Sequence, residues 1–234
     1  MANTHQFQTE VRQLLDIVIH AFYSDREVFV RELVSNASDA LEKLRLKQLT
    51  QTAVYEPERE LRITITTDEE AGTLTIADSG IGMTQDEVVE FLGTIAHSGT
   101  KKFLEAMKES KGGTQDLIGQ FGVGFYSVFM AADKVEVTTR SWQPDAAPVK
   151  WVSDGQEGYE LSAASADTPR GTSILIHLKE DAANFSKADH VRYILKKYSN
   201  FVGFPIDFNG EHLNTVQAIW MKNKKDVKPE EYEE

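Results

Sequence analysis

The spacing of apolar residues changes near residue 60, and this change constrains the fold more than any other feature of the chain. Ahead of it, apolar residues recur every three or four positions over 7–22 and again over 25–47, which predicts two amphipathic helices. Beyond it, 61–68 and 73–78 alternate apolar and polar residues around a short turn, which predicts a β-hairpin. The chain therefore combines long helices with paired strands.

Later segments extend this division between helices and strands. Two capping boxes, Ser24 with Glu27 and Thr84 with Glu87, predict the starts of the helix over 25–47 and of a shorter helix over 85–92. Further helices are expected at 125–133 and 187–198, strands at 134–142, 149–154, 159–164 and 171–179, and a hairpin-like piece at 204–213. Because strands cluster instead of alternating with helices, the pattern favours an α+β sandwich over repeated βαβ units.

Composition argues against several classes of function. The 234 residues carry a formal charge of −12, from 25 basic and 37 acidic residues, which argues against a surface built to bind nucleic acid. Without cysteine there is no disulfide, thiolate zinc site or cysteine nucleophile, and the six histidines lack zinc-binding spacing. No secretory signal opens the sequence, and no apolar run reaches the roughly 18 residues that span a bilayer. We therefore expect a cytoplasmic protein without membrane or nucleic-acid partners.

The helix over 25–47 carries a polar stripe beside its apolar one. The apolar stripe is Leu33, Ala37, Ala40, Leu41 and Leu44, and the polar stripe is Glu32, Asn36, Asp39 and Lys43. An asparagine oxygen is a hard ligand that suits Mg²⁺, and a glutamate one turn away can orient or deprotonate a water. The alternative is a solvated helix edge on which Asp39 and Lys43 form an ion pair.

Two glycine motifs are candidates for close contact between backbone and ligand. In TIADSGIGM, Asp78 ends a strand, and Gly80 and Gly82 would let the backbone approach a flat ligand whose amino group binds the carboxylate. The alternative there is an ordinary turn. In 119–124, three glycines precede a helix whose N-terminal amides would bind phosphate, although the spacing matches neither a dinucleotide fingerprint nor a P-loop. The segment 93–124 holds seven of the fifteen glycines, which is typical of a loop.

Five motifs, taken in chain order, resemble one known family. They are ELVSNASDAL, DSGIGMT, LGTIAHSGT, IGQFGVGFYS and RGTSILIHLKED, and they are similar to the N-terminal ATP-binding domain of the heat-shock protein 90 chaperones, above all its bacterial members. The resemblance extends over about 7–207. The wider superfamily of gyrase B, mismatch-repair ATPases and histidine kinases shares the asparagine helix and the Asp-x-Gly-x-Gly turn. It does not share the LGTIA-SGT and GQFGVGFYS motifs in this form.

The resemblance implies a fold and a domain organisation. The fold would be of the Bergerat ATP-binding type, a two-layer α+β sandwich in which helices cover a mixed, mostly antiparallel sheet and ATP lies in the helical layer. Residues 1–212 would form the N-terminal ATP-binding domain, with a lid at about 93–124 that closes over the nucleotide. Residues 213–234 would be a linker or the start of a truncated middle domain.

The resemblance also implies roles for individual residues. Glu32 would be the catalytic general base and Asn36 would coordinate Mg²⁺, whereas Asp78 would accept the adenine amino group. The full set of implied nucleotide-binding residues is Asn36, Asp39, Asp78, Gly82, Met83, Leu92, Ser98, Gly99, Gly119, Gln120, Phe121, Gly122, Val123, Gly124, Phe125 and Thr172. From the pattern alone, Thr172 at a strand start is an ordinary β-former. Phe91 and His97 replace residue types that are usual in the family, so neither is assigned a ligand role.

The implied function is that of a stress-response chaperone ATPase that uses ATP or ADP and Mg²⁺. In the family an arginine of the middle domain reaches the γ-phosphate, a contribution of about 10³ or more in rate. This chain is therefore expected to bind nucleotide but to hydrolyse it slowly. Client proteins and co-chaperones would act through the full-length homodimer, whereas this chain alone would be monomeric.

The sequence leaves three alternatives open. An ATPase domain of a DNA topoisomerase or a mismatch-repair protein would need a basic DNA-facing surface, which the net charge opposes. A histidine kinase catalytic domain would need an upstream phosphoacceptor helix, for which the residues before the asparagine helix leave little room. A non-catalytic nucleotide-binding module would have no use for Glu32 beside Asn36.

Overall fold

The described part of the chain comprises five ranges. The computed structural model describes residues 3–6, 26–93, 124–156, 158–198 and 202–214. The helix expected over 7–22, most of the lid expected over 93–124 and most of 213–234 lie outside these residues.

Helices of three kinds occur in the described ranges. The α-helices are α1 (Val28–Thr50), α2 (Gln85–Val88) and α3 (Ala188–Tyr198); a π-helix (Val89–Gly93) continues α2, and 3₁₀-helices span Gly124–Met130 and Glu180–Ser186. The capping box at α2 is confirmed, because the Glu87 N–H donates to the Thr84 hydroxyl (3.3 Å) and the Thr84 N–H donates to the Glu87 carboxylate (2.7 Å). The helix expected over 85–92 is therefore present, but its second half is a π turn.

The start predicted for α1 was wrong. The helix begins at Val28 and not at Asp25, and Glu27 makes no side-chain capping bond. The Glu27 carboxylate instead accepts a hydrogen bond from Nζ of Lys197 on α3, at 3.2 Å. Glu27 therefore takes part in a tertiary ion pair. Ser24, the other member of the predicted capping box, lies outside the described residues.

The strands form one sheet. They are β1 (Asn3–Gln6), β2 (Ile63–Asp68), β3 (Thr73–Asp78), β4 (Ala132–Arg140), β5 (Val149–Ser153), β6 (Gly158–Ala163), β7 (Gly171–Leu178), β8 (Ile206–Phe208) and β9 (Glu211–His212). Across the described residues the order is β1-β6-β5-β4-β7-β3-β2-β8-β9, and every pair is antiparallel except β2 with β8. The predicted α+β sandwich with a mixed, mostly antiparallel sheet is confirmed.

One face of the sheet packs against the helices. Ile76 of β3, Ile174 of β7 and Val137 of β4 stand side by side in register, under α1. One position further along, Thr75, Leu175 and Glu136 point to the other face, because side chains alternate along a strand. The predicted apolar stripe of α1 lies in the core, and of its five members only Ala40 is partly exposed.

Within the described ranges, no helix has the length and apolar character needed to cross a bilayer.

Candidate functional site

A cavity of about 510 Å³ lies between α1 and the covered face of the sheet. Its volume falls within the roughly 300–1,000 Å³ of small-molecule sites. The predicted site residues that line it are Glu32, Asn36, Asp39, Asp78, Gly82, Met83, Leu92, Gly124, Phe125 and Thr172. Ser98, Gly99, Gly119, Gln120, Phe121, Gly122 and Val123 lie outside the described residues. The structure thus brings together residues that are up to 140 positions apart in sequence.

The lining also includes residues that the sequence did not single out as site residues. They are Leu33, Ala37, Ala40, Lys43, Ile76, Ile81, Glu87, Phe91, Val137 and Ile174. Most are apolar and form the walls, as expected for a small-molecule site. Strand alternation places Ile76, Val137 and Ile174 on one face, but only the position of α1 over that face shows that they line a cavity.

Glu32 lies at one end of the cavity, against the backbone of Gly124. Only 13% of the Glu32 side chain is exposed, and its Oε1 accepts a hydrogen bond from Nη2 of Arg31 at 3.2 Å. A β-carbon at residue 124 would lie 2.6 Å from Glu32 Oε2, so a larger residue there would displace the end of the Glu32 side chain. Asn36 follows one turn later on α1 and is exposed to solvent within the cavity. The carboxylate and the carboxamide thus share one end of the site with the end of the glycine-rich segment.

The turn that follows Asp78 contacts α1 at Ala40, more than two helical turns beyond Glu32. Asp78 ends β3, and its Oδ1 accepts the N–H of Gly80 at 2.8 Å. The next N–H, that of Ile81, donates to the carbonyl of Ala40 on α1 at 3.0 Å. A β-carbon at residue 80 would lie 2.6 Å from the Ala40 carbonyl carbon, so only glycine allows this approach. Gly82 has φ +59°, and a β-carbon there would meet the carbonyl oxygen of Arg140.

Burial controls the ionisation of Asp78. Removal from water raises the pKa of this carboxyl from its ordinary value to about 7. The backbone N–H groups of Gly80 and Thr172 and the positive charges of Arg59 and Arg170 oppose that increase. A carboxyl group that ionises near neutral pH inside a cavity is a candidate binding or catalytic group.

Thr139 of β4 is a buried hydroxyl that connects three segments of the site. It donates to the carbonyl of Gly171 at 3.0 Å and accepts the N–H of Met83 at 3.0 Å. The Thr172 hydroxyl lies 3.0 Å away and is the donor in that contact, since the one proton of Thr139 is already used. Thr139 was missed from the sequence. The available signal was a hydroxyl at a position that alternation assigns to the apolar face of the strand.

Arg170, which directly precedes β7, was also missed. Its guanidinium is fully buried and donates to five backbone carbonyls, those of Tyr55, Glu56, Arg59, Ser79 and Gly80. Its own backbone N–H donates to the Glu56 carboxylate at 3.0 Å. One side chain thus joins the segment after α1 to the turn that carries Asp78. No local pattern marks this role, because all five acceptors are distant in sequence.

Comparison with known proteins gives one family and consistent relatives. The profile of the histidine kinase-, DNA gyrase B- and HSP90-like ATPases matches residues 23–154. The chain is 56% identical over 233 residues to a chaperone protein HtpG of Desulfitobacterium hafniense, which covers 99% of this chain and 38% of that protein. It is 52% identical over 230 residues to the mitochondrial heat shock protein 75 kDa of Rattus norvegicus, and this match covers 98% of the present chain and 32% of that protein. A chaperone protein HtpG of Oleidesulfovibrio alaskensis is 48% identical over 233 residues, and this match covers 100% of the present chain and 37% of that protein.

The chain spans roughly a third of the length of these relatives. The matched region runs from ahead of α1 to the end of β5, so it contains both the Glu32 end and the Asp78 end of the cavity. Identities of 48–56% over nearly the whole chain associate it with the HSP90 chaperones within that family. The chain therefore belongs to the histidine kinase-, DNA gyrase B- and HSP90-like ATPases, as an N-terminal ATPase domain of the HSP90 group.

Proposed function

We propose that this chain binds ATP in the cavity between α1 and the sheet and hydrolyses it, as the nucleotide-driven part of a chaperone that assists protein folding. One observation carries the proposal: a single cavity connects Glu32 with Asp78. The Asp78 turn contacts Ala40, eight residues beyond Glu32, which corresponds to about 12 Å along α1. A base at one end and phosphates at the other would occupy a site of that length.

The Asp78 end would bind the base. A charged carboxylate only accepts hydrogen bonds, so it would receive the amino group of adenine. The Thr172 hydroxyl lies beside it, and Met83 and Ile81 offer apolar contact to a flat ring. Gly82 allows the backbone to approach the same space. These contacts favour an adenine nucleotide.

The Glu32 end would hold the reacting phosphate and the attacking water. Glu32 would accept the proton of the water as general base, and the backbone at Gly124 would hold the phosphates next to it. Residues 119–125 would wrap the phosphates, and about 93–124 would close as a lid. Hydrolysis by this chain alone would be slow, because an arginine from a following domain would complete the site.

The residues present fit a magnesium ion held partly by the nucleotide. Among the described residues, no group of three or more histidines and carboxylates could hold a metal ion alone. The Asn36 amide oxygen offers one hard ligand at the Glu32 end, and phosphate oxygens and waters would supply the others, as is usual for Mg²⁺. Bound Mg²⁺ would neutralise the charge that develops on the transferred phosphoryl group.

The whole protein would act beyond this domain. We propose residues 1–212 as the ATP-binding domain, with 213–234 as a linker or the start of a middle domain. Asn214 is nevertheless buried, and its side chain accepts the N–H of Ile206, so packing extends at least to this residue. A cytoplasmic location, clients, co-chaperones and full-length dimerisation belong to the same proposal, as does a monomeric state for this chain alone.

A non-catalytic nucleotide-binding module is the second candidate, and Glu32 distinguishes the two. Titration calorimetry with Mg-ADP is expected to show one site. Asp78→Asn is expected to abolish ADP binding, whereas the control Asp189→Asn, at the exposed start of α3, is expected to leave it unchanged.

Glu32→Ala should keep the nucleotide affinity and reduce hydrolysis by about 10²-fold or more, the scale of a general base. Unchanged hydrolysis in Glu32→Ala would favour the binding module. Unchanged ADP affinity in Asp78→Asn would refute the base assignment.

A further inference from the structure

We propose that Arg59 and Arg170 make this cavity select a base that presents an amino group over one that presents a carbonyl group, by holding the Asp78 carboxylate in its charged, accepting form. This inference rests on the proposed function, in which Asp78 contacts the base. Neither arginine lines the main cavity, so both would act as positioning residues through Asp78.

Asp78 lies between two cavities. Besides the main cavity, it lines a second one of about 180 Å³ together with Arg59, Arg62 and Ser79. Arg59 therefore faces the carboxyl group from a space that the base does not occupy. A positive charge in that position can act on Asp78 without blocking the ligand.

The two arginines hold each other in place. The Arg59 guanidinium donates to the carbonyl of Arg170, and the Arg170 guanidinium donates to the carbonyl of Arg59 at 3.1 Å. Arg170 also donates to the carbonyls of Ser79 and Gly80, and the Gly80 N–H donates to Asp78. The positive charges and the carboxylate are thus parts of one hydrogen-bonded unit and cannot move far apart.

The ionisation of Asp78 depends on opposing effects, of which burial is the largest. Burial raises its pKa to about 7, and the N–H groups of Gly80 and Thr172 and the charges of Arg59 and Arg170 lower it. Other charged groups around this site are Glu32, Asp39 and Lys43 on α1, Glu87 on α2, Glu56, Glu60 and Arg62 in the segment after α1, and Arg140 on β4. Since the carboxyl ionises close to neutral pH, loss of one positive neighbour would increase its protonated fraction at pH 7.

The protonation state decides which base fits. A charged carboxylate accepts the amino group of adenine and repels the carbonyl oxygen that guanine presents at the same position. A protonated Asp78 has an O–H group and can donate to that carbonyl oxygen. Discrimination between the two bases therefore requires the charged form, which is the form that the two arginines favour.

The test compares ADP and GDP affinities by calorimetry between pH 6 and pH 9. In the unaltered chain the preference for ADP is expected to rise with pH. In Arg59→Met that rise moves to higher pH, with ADP binding weakened roughly fivefold at pH 7 if the charge shifts the midpoint by about one pH unit. Arg59→Lys keeps a positive charge and is expected to behave like the unaltered chain.

Arg62→Met is the matched control. Arg62 lines the same second cavity and is paired with Glu60 and Asp207, but unlike Arg59 it is not one of the charges that lower the pKa of Asp78. Its removal is expected to leave the pH profile unchanged. Carbon-13 NMR of the Asp78 carboxyl in the ligand-free chain provides a second measurement, and Arg59→Gln replaces Arg59→Met if the latter does not fold.

The outcomes separate the inference from the function on which it rests. If Asp78→Asn abolishes ADP binding while Arg59→Met keeps the pH profile and the ADP preference of the unaltered chain, the inference is refuted and the function stands. An equal shift in Arg62→Met would also refute it, because the effect would then not be specific to Arg59. Absence of ADP binding by the unaltered chain would refute both.

Discussion

Gly124 and Glu32 are in direct contact, although they are 92 positions apart in sequence. Oε2 of Glu32 occupies the space that a side chain at residue 124 would need, and the β- and δ-carbons of Glu32 would each lie 3.3 Å from a β-carbon there. The glycine at residue 124 therefore leaves room for the carboxylate in its observed position. This contact connects α1, which carries the proposed general base, with the end of the glycine-rich segment.

Gly124→Ala is expected to reduce hydrolysis while leaving the fold intact. The added methyl group would push the end of the Glu32 side chain aside, and a misplacement of about 1 Å can cost on the order of 10²-fold in rate. Phosphate release with excess Mg-ATP and thermal melting measure the two effects. Gly203→Ala is the control, because a β-carbon there meets nothing within 4 Å. A normal rate in Gly124→Ala would show that the carboxylate does not need its observed position.

Asp78→Asn is expected to stabilise the ligand-free chain at high pH. The folded-state pKa of Asp78 is raised to about 7, so its contribution to stability is full below about pH 4 and is lost as the pH rises to about 7. Asparagine does not ionise and keeps an oxygen for the Gly80 N–H. Melting temperatures at pH 5 and pH 8 should show an advantage of roughly 2–4 °C or more that is larger at pH 8. An equal advantage at both values would contradict the raised pKa.

Arg170→Lys is expected to destabilise the fold strongly. An ammonium group has three donors and cannot reach the five carbonyls that the guanidinium holds, and each buried carbonyl left without a donor costs about 1–3 kcal/mol. Urea unfolding should therefore show a loss of about 3 kcal/mol or more. Arg45→Lys serves as control, since Arg45 is exposed and its ion pair in the described part of the chain is with Glu42, across one helical turn. A loss no larger than that of the control would show that the buried contacts are not limiting.

Glu136→Gln is expected to destabilise the chain only above acidic pH. Hydrogen bonds from Lys134 and Lys150 lower the pKa of Glu136 to about 2, against a smaller opposing effect of burial. A lowered pKa contributes stability above about pH 4.5 that disappears as the pH falls to about 2. The melting temperature of the variant should thus fall below that of the unaltered chain at pH 7 and converge with it near pH 2. Glu160→Gln, at an exposed position on β6, is the control and should not show this dependence on pH. If the melting temperature of Glu136→Gln differed from that of the unaltered chain by the same amount at pH 7 and pH 2, the ion pairs with Lys134 and Lys150 would be excluded as the cause.

Local patterns predicted some elements well and others poorly. The β2–β3 hairpin was predicted closely, because strand alternation and the glycine of the turn, Gly72 with φ +62°, are both local signals. The helix over 85–92 changes to a π turn at Val89, where the Tyr126 hydroxyl donates to the Leu92 carbonyl at 3.1 Å. β1 was not predicted, because Asn3–Gln6 is short and polar and is a strand only through its pairing with β6.

The sequence by itself determined most of the order of helices and strands in the described ranges, the family, and the residues proposed to carry the chemistry, Glu32, Asn36 and Asp78. Periodicity, glycine placement and side-chain chemistry are properties of short segments, so they can be read without knowing the fold. Only the tertiary structure decided that the Asp78 turn rests on Ala40 and that Thr139 and Arg170 hold it there. The Arg170 guanidinium and the Ser79 carbonyl are 91 positions apart, and a buried donor over such a separation leaves no repeating pattern in the chain. Its partner is set by which segments the packed core brings together.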